Sequence, residues 1–418
     1  MLLIKQVRII DPNSPFNHSV QDIEIIDGRI ARIDSFIKPT PKHTIIHFED
    51  ASVAPSWLDV GCQINEPGNE HKATLVNTSI CAAKGGYSHL ITLPNTHPTI
   101  QDKSSVFSLK HNTSSLPVTF LPLGAITEQT EGQGMAELYD MYSAGAIGFS
   151  DGVNSIQKAG IMLRALQYVK AFDGIIVNQP HDKSLASHGF MHEGAMSTSL
   201  GLPGIPSMTE FIMLQRDIHL LEYTQSKLHV LNISTSEAVD QIASAKEKGL
   251  KITASVPILN LIFTDEVLQS YDADFKVFPP LRSSSDREHL IDGLKNKTID
   301  CISSNDSPQD EESKNVEFPY ASFGALTLEH TFALMNTFLR DKFSLLEIVD
   351  ILAIRPREVF NQTVPQINIG CEAQLTLFDE NKQFKVNSDQ LLSIAKNSPC
   401  KDMLLKGWVY GIINGQKS

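Results

Sequence analysis

Tryptophan occurs twice and cysteine five times in 418 residues, and these scarcities close off whole classes of protein. The cysteines (Cys62, Cys81, Cys301, Cys371 and Cys400) are odd in number, scattered and without CxxC spacing. That excludes a disulfide framework and a zinc knuckle. No stretch approaches the ~20 consecutive apolar residues that a membrane span requires. The opening MLLIKQVRII is broken by Lys5 and Arg8 and precedes no small-residue cleavage site, so it reads as a β-strand rather than a leader, and a cytoplasmic protein is expected. Basic residues are in deficit, 35 against 48 acidic ones for a net charge of −13, which argues against an extended nucleic-acid surface. What is present is the composition of a globular chain able to bury a large core, 41% hydrophobic and 20% charged. The length suits a large α/β barrel with a small appended module.

Both ends are rich in short β patterns. LLIKQVRII and QDIEIIDGRIARID lie within residues 1–51, with Asp27-Gly28 as a hairpin turn. AQLTLFD and WVYGIINGQ lie within 361–418, with Asn414-Gly415 as another turn. The two ends are expected to pair into one β-sandwich module, since chain termini often lie close in space. Residues 52–360 repeat a different unit, an apolar strand followed by a polar loop and an amphipathic segment. Strands are expected at SVAPSWLDV, SHLITLP, PVTFLPLGA, AIGFS, GIIVN, KLHVLNI, KITASV and DCISS. Helices are expected in pieces such as AGIMLRALQYVKAF and SEAVDQIASAKEKG. Eight such units in order predict a (β/α)8 barrel, whose chemistry sits at the C-terminal ends of its strands.

Those strand ends carry a resemblance. APSWLDVGCQINEPGNEHKAT (54–74), ITLPNTHPTI (91–100), GFSDG (148–152), DKSLASHGFMHEGAMSTSLGLPGIP (182–206), NISTSEAV (232–239), FPPLR (278–282) and NDSP (305–308) stand in the order of the dihydroorotases. These are members of the cyclic amidohydrolase family, and the C-terminal IGCEAQLTLFD and NGQ extend the match over nearly the whole chain. The resemblance implies zinc-assisted hydrolysis of a cyclic amide, in which the metal polarises the carbonyl and activates water. It also implies where the ligands belong, and there this sequence departs from the pattern.

The paired first-strand histidines correspond to Gly61 and Gln63, the strand-five histidine to Gln179, and the strand-six histidine to Asn232. The strand-eight aspartate, the family's general base, corresponds to Asn305, and only the strand-four acid is kept, as Asp151. Glycine offers no donor and neutral amides are poor zinc ligands, so no metal cofactor is expected. On the substrate side, the family's carboxylate-gripping arginine corresponds to Asn65 and another pocket asparagine to Phe278, while Asn95 is retained. His181, His188, His192 and Asp306 lie near strand-end loops and are the candidates for a displaced metal site; otherwise they read as ordinary loop residues. Asp151 is either a metal-free base or, as the residue types favour, a structural acceptor for Gln179, Asn232 or Asn305. Cys62 is expected to face the helix layer, and with Cys301 to serve packing. The leading expectation is a catalytically impaired dihydroorotase-like protein, a homo-oligomer and noncatalytic partner of aspartate transcarbamoylase. The alternatives are an active dihydroorotase and a sensor of a small polar metabolite.

Overall fold

In the computed structural model, which describes residues 1–186 and 188–415, eight parallel strands follow one another around a barrel in chain order. They are Trp57–Cys62, Tyr87–Thr92, Thr119–Gly124, Gly148–Phe149, Ile176–Asn178, Leu228–Val230, Ile252–Pro257 and Cys301–Ser303. All eight expected strands are present. Helices between them bury one apolar stripe: Ala159–Val169 turns Ile161, Met162, Ala165, Leu166 and Val169 inward, the spacing of a 3.6-residue period. Helix Ser236–Glu247 starts where Thr235 accepts a hydrogen bond from the Ala238 N–H, an N-cap that satisfies one otherwise orphaned donor. The first and last strands meet at a buried seam. There the Ser304 N–H and hydroxyl both donate to the Asp59 carboxylate, at 2.7 and 2.6 Å.

A second sheet has seven strands from both ends of the chain. Its hydrogen-bonded path runs Leu404–Asn414, Gln374–Lys385, Ser52–Pro55, Leu2–Ile9, Val20–Ile26 and Arg29–Asp34, and Thr44–Ile46 pairs with Leu2–Ile9 off the path. Asp27 and Gly28 have φ of 49° and 74°, the two positive values that a two-residue type I′ hairpin needs. Asn414 closes its strand, while Gln416, beyond the expected turn, lies outside the described residues. One expectation requires correction. SVAPSWLDV is two strands rather than one, because the chain changes sheets at Ser56. Its N–H donates to the Gln374 carbonyl of the terminal sheet, whereas the Trp57 N–H donates to Gly86. Residues 52–55 therefore pair with the terminal strands.

Of the four apolar clusters among the described residues, three organise the barrel and the terminal sheet. One lies between strands and helices and includes Cys62 and Cys81. Another lies under the terminal sheet and includes Ile4, Ile23, Val53 and Leu375. The third fills the barrel itself with Leu58, Val60, Ile91, Leu123, Val177, Leu231 and Cys301. Among the described residues no helix is long and apolar enough to cross a membrane.

Candidate active site

On the first strand Leu58 and Val60 both belong to the barrel-filling cluster, so strict alternation would also aim Cys62 inward. It does not point that way. Pairing with the neighbouring strand slips between Val60 and Cys62, and Gly61 at the slip has φ +83°. This bulge absorbs one residue and sends Cys62 outward into the helix layer, as expected. A Cβ built on Gly61 would lie 2.8 Å from Leu231 Cδ1. Leu231 is fully buried, so at this position, where glycine offers no donor, an added side chain would crowd the packed Leu231 methyls.

Three of the four amides at the other positions are hydrogen-bonded, two of them to each other. Gln63 Oε1 accepts from the Ser307 hydroxyl at 3.1 Å. Asn232 Nδ2 donates to Asn305 Oδ1 at 3.0 Å, and Asn305 Nδ2 donates to the Phe278 carbonyl at 3.0 Å. Asn232 Oδ1 also accepts from the Ser303 hydroxyl. Asn232 and Asn305 sit at φ 58° and 52°, a left-handed conformation that asparagine tolerates better than most residues. Gln179 is buried but makes no side-chain hydrogen bond with another described residue.

Asp151 stands apart from this chain of amides, which corrects the expectation that it accepts from Gln179, Asn232 or Asn305. Its Oδ1 accepts from the Ile126 and Thr127 N–H groups, both at 2.9 Å, and its Oδ2 from the Thr127 hydroxyl. Burial raises its pKa to about 6 against these hydrogen bonds. Asn95 is engaged next to it: Nδ2 donates to the Asp151 carbonyl at 3.0 Å and Oδ1 accepts from the Val153 N–H at 3.1 Å. Both residues brace the loops above strands two to four.

A cavity of about 550 Å³ opens at the barrel mouth, and Gln63, His181, Lys183, Phe278, Asn305 and Phe323 line it. Of the three expected substrate-contacting residues only Phe278 lines this cavity. Asn65 instead has a buried Nδ2 with no partner among the described residues, and Asn95 is committed to the brace. His181 packs edge-on against Phe278, with ring centroids 4.9 Å apart. Burial, then the neighbouring Arg282 and Lys183 charges, lower its pKa to about 4, so the ring is neutral at pH 7. Lys183 and Phe323 went unmarked in the sequence; Lys183 sat inside the matched segment but had no pattern to single it out.

The candidates for a displaced metal site do not converge. Asp306 is buried and accepts from the Thr327 and Leu328 N–H groups at 2.7 and 2.9 Å. His192 Nδ1 faces the Arg282 guanidinium at 3.2 Å, and His188 is exposed. Among the described residues no three His, Cys, Asp or Glu side chains are grouped for a metal. Tested against the donor chemistry of zinc, the family positions do not fit. Gly61 has no donor, Gln63, Gln179, Asn232 and Asn305 offer neutral amides, and Asp151 already accepts three hydrogen bonds within its loop.

The combination of an eight-stranded parallel barrel and a β-rich module defines an amidohydrolase-type fold. L-hydantoinase (dihydropyrimidinase) from Arthrobacter aurescens superposes with a TM-score of 0.83 at 22% identity, covering 100% of this chain and 96% of that one. Residues 52–238 match the family model described as Dihydro-orotase-like. The chain is 35% identical to a dihydroorotase of Caldicellulosiruptor saccharolyticus, over 100% of its own length and 98% of the relative's. It is 36% identical to a dihydroorotase of Thermoanaerobacter sp., over 98% and 94%. This protein belongs to the dihydroorotase family.

Proposed function

We propose that this member of the family is a catalytically impaired dihydroorotase-like protein whose barrel mouth binds a small polar molecule without metal-assisted hydrolysis. The observation that carries the reading is Leu231 packed where a first-strand ligand would project. Glycine offers no donor there, and the Leu231 methyls crowd any side chain that would replace it. Losing even a partner behind a ligand costs ~10–100-fold in metal affinity, and five of the six family positions lack their ligand. Among the described residues no group in the cavity is well suited to replace an activated water: His181, with its pKa lowered to about 4, is a weak base, Lys183 donates to Asn154 Oδ1 at 3.1 Å, and Asp151 is turned into its loop. A general base must reach the proton it removes.

Full-length similarity to proteins named dihydroorotase favours a second reading, an active enzyme that converts L-dihydroorotate and water to N-carbamoyl-L-aspartate. The two are separated by assaying both directions with and without added zinc, alongside metal quantification of the purified protein. The first reading expects substoichiometric zinc and no turnover above background. Stoichiometric zinc with turnover would overturn it in favour of the second. Co-purification with aspartate transcarbamoylase tests the partner role that the resemblance implies.

A further inference from the structure

Three arginines, Arg282, Arg355 and Arg357, are buried, and their surroundings differ in one respect. Arg355 pairs with Asp350 at 2.7 Å, and Glu210 and Asp286 support the charge of Arg282. Arg357, only 1% exposed, has neutral acceptors alone among the described residues. Its Nη1 donates to the carbonyls of Ser56 and Ala353 at 2.7 and 2.6 Å. Its Nη2 has only long contacts, 3.3 to 3.5 Å, to the Ser56 and Ser88 hydroxyls and to His89 Nδ1. Nε has no acceptor among the described residues. Burial lowers the guanidinium to about 9, and no carboxylate offsets it. A buried cation without a counter-charge is unfavourable unless something pairs with it. The Nε and Nη2 edge, the one that forks onto a carboxylate or phosphate, is also the weakly satisfied edge.

Arg357 lines a cavity of about 410 Å³ at the end of the barrel away from the mouth, where Ser56 precedes the first strand. The opposite wall comes from the terminal sheet and the segment before it: Arg29, Gln362, Gln366 and Gln374. Glu372 is also in the lining and forms no ion pair with either arginine. We propose that this cavity is a second binding site, separate from the barrel mouth, for a small organic oxyanion held by Arg357 and Arg29. The bound molecule bridges barrel and terminal sheet. The shared chemistry is the planar or tetrahedral oxyanion, and carboxylate and phosphate are its two sources.

Cys371 supplies the readout. It lines the same cavity and is partly exposed while the other four cysteines are buried. The rate of its modification by a neutral aromatic disulfide would be measured in the intact protein with sodium phosphate or sodium malonate, at ionic strength fixed with chloride. Cys371→Ser identifies the signal. One or both anions should slow the reaction at least fivefold and saturably, and whichever protects names the source. Arg29→Ala, an exposed residue whose loss leaves the fold intact, should weaken the protecting anion at least tenfold, as should Arg357→Lys. Absence of protection by both anions would overturn the proposal. So would equal protection in Arg29→Ala, and that arm decides the matter even if Arg357→Lys does not fold.

Discussion

Placing a single methyl group on Gly61 tests whether the first ligand position has been filled from behind. In Gly61→Ala the new Cβ meets Leu231 Cδ1 at 2.8 Å and Cδ2 at 3.2 Å, on a residue with φ +83°. The left-handed backbone costs an L-residue about 1–2 kcal/mol. Overpacking a closed core adds about 1–3 kcal/mol, for a destabilisation of roughly 2–5 kcal/mol. The assay is urea unfolding followed by tryptophan fluorescence, since Trp57 is fully buried on the same strand. Repeating it in a Leu231→Ala background separates the two contributions. That background removes the clash and keeps the strain, so Gly61→Ala should then cost only about 1–2 kcal/mol. Gly61→His should gain no zinc in either background, because the other positions remain amides. A Gly61→Ala protein within about 0.5 kcal/mol of the parent, or an equal cost in both backgrounds, would refute the reasoning.

Asn305→Asp, the substitution that restores the family's base, replaces the Nδ2 donor facing the Phe278 carbonyl with an acceptor. It should lower stability by about 1–3 kcal/mol and produce no dihydroorotate turnover; a stable, active variant would count against the amide-chain description. The Asp59 seam predicts that Asp59→Ala, which leaves the buried Ser304 N–H without its acceptor, costs about 1–3 kcal/mol by the same unfolding assay. Asp151 gives a pH dependence. Its pKa is raised from 3.8 to about 6, so the folded state holds its proton more tightly between those values. The stability it contributes is present at the acidic end and is lost as pH rises through the window. The stability of the parent relative to Asp151→Asn should therefore fall from about pH 4 to pH 6, and a difference that grows with pH would reverse the assignment.

Much of this molecule is determined locally. The eight strand–helix units follow from apolar runs alternating with 3.6-period stretches, and the Asp27-Gly28 hairpin follows from two residues that accept positive φ. The residue types at Gly61, Gln63, Gln179, Asn232 and Asn305, on which the proposed loss of metal ligands rests, are legible without the fold, because no neighbour can give glycine a donor. The orientation of Cys62 was correct for a reason the sequence did not contain: a bulge at Gly61 reverses the alternation that the inward Val60 begins.

Side-chain partners were decided by tertiary structure, because they come from residues distant in the chain. Asn95 read as a pocket residue and Asp151 as an acceptor for the barrel-mouth amides, yet both brace loops, since the N–H groups that Asp151 needs belong to Ile126 and Thr127, on the loop of the preceding strand. Asp59 finds Ser304 across 245 positions, and only barrel closure makes them neighbours. The split of residues 52–60 at Ser56 depends on which carbonyl each N–H finds, Gln374 or Gly86, and β propensity is the same for either partner. Sequence alone determined which chemical groups the barrel mouth possesses, since composition at a strand end does not change on folding. Only the fold decided that Leu231 packs against Gly61 and that Arg357 is buried with no carboxylate partner among the described residues, because volume and charge compensation belong to the packed assembly of distant segments.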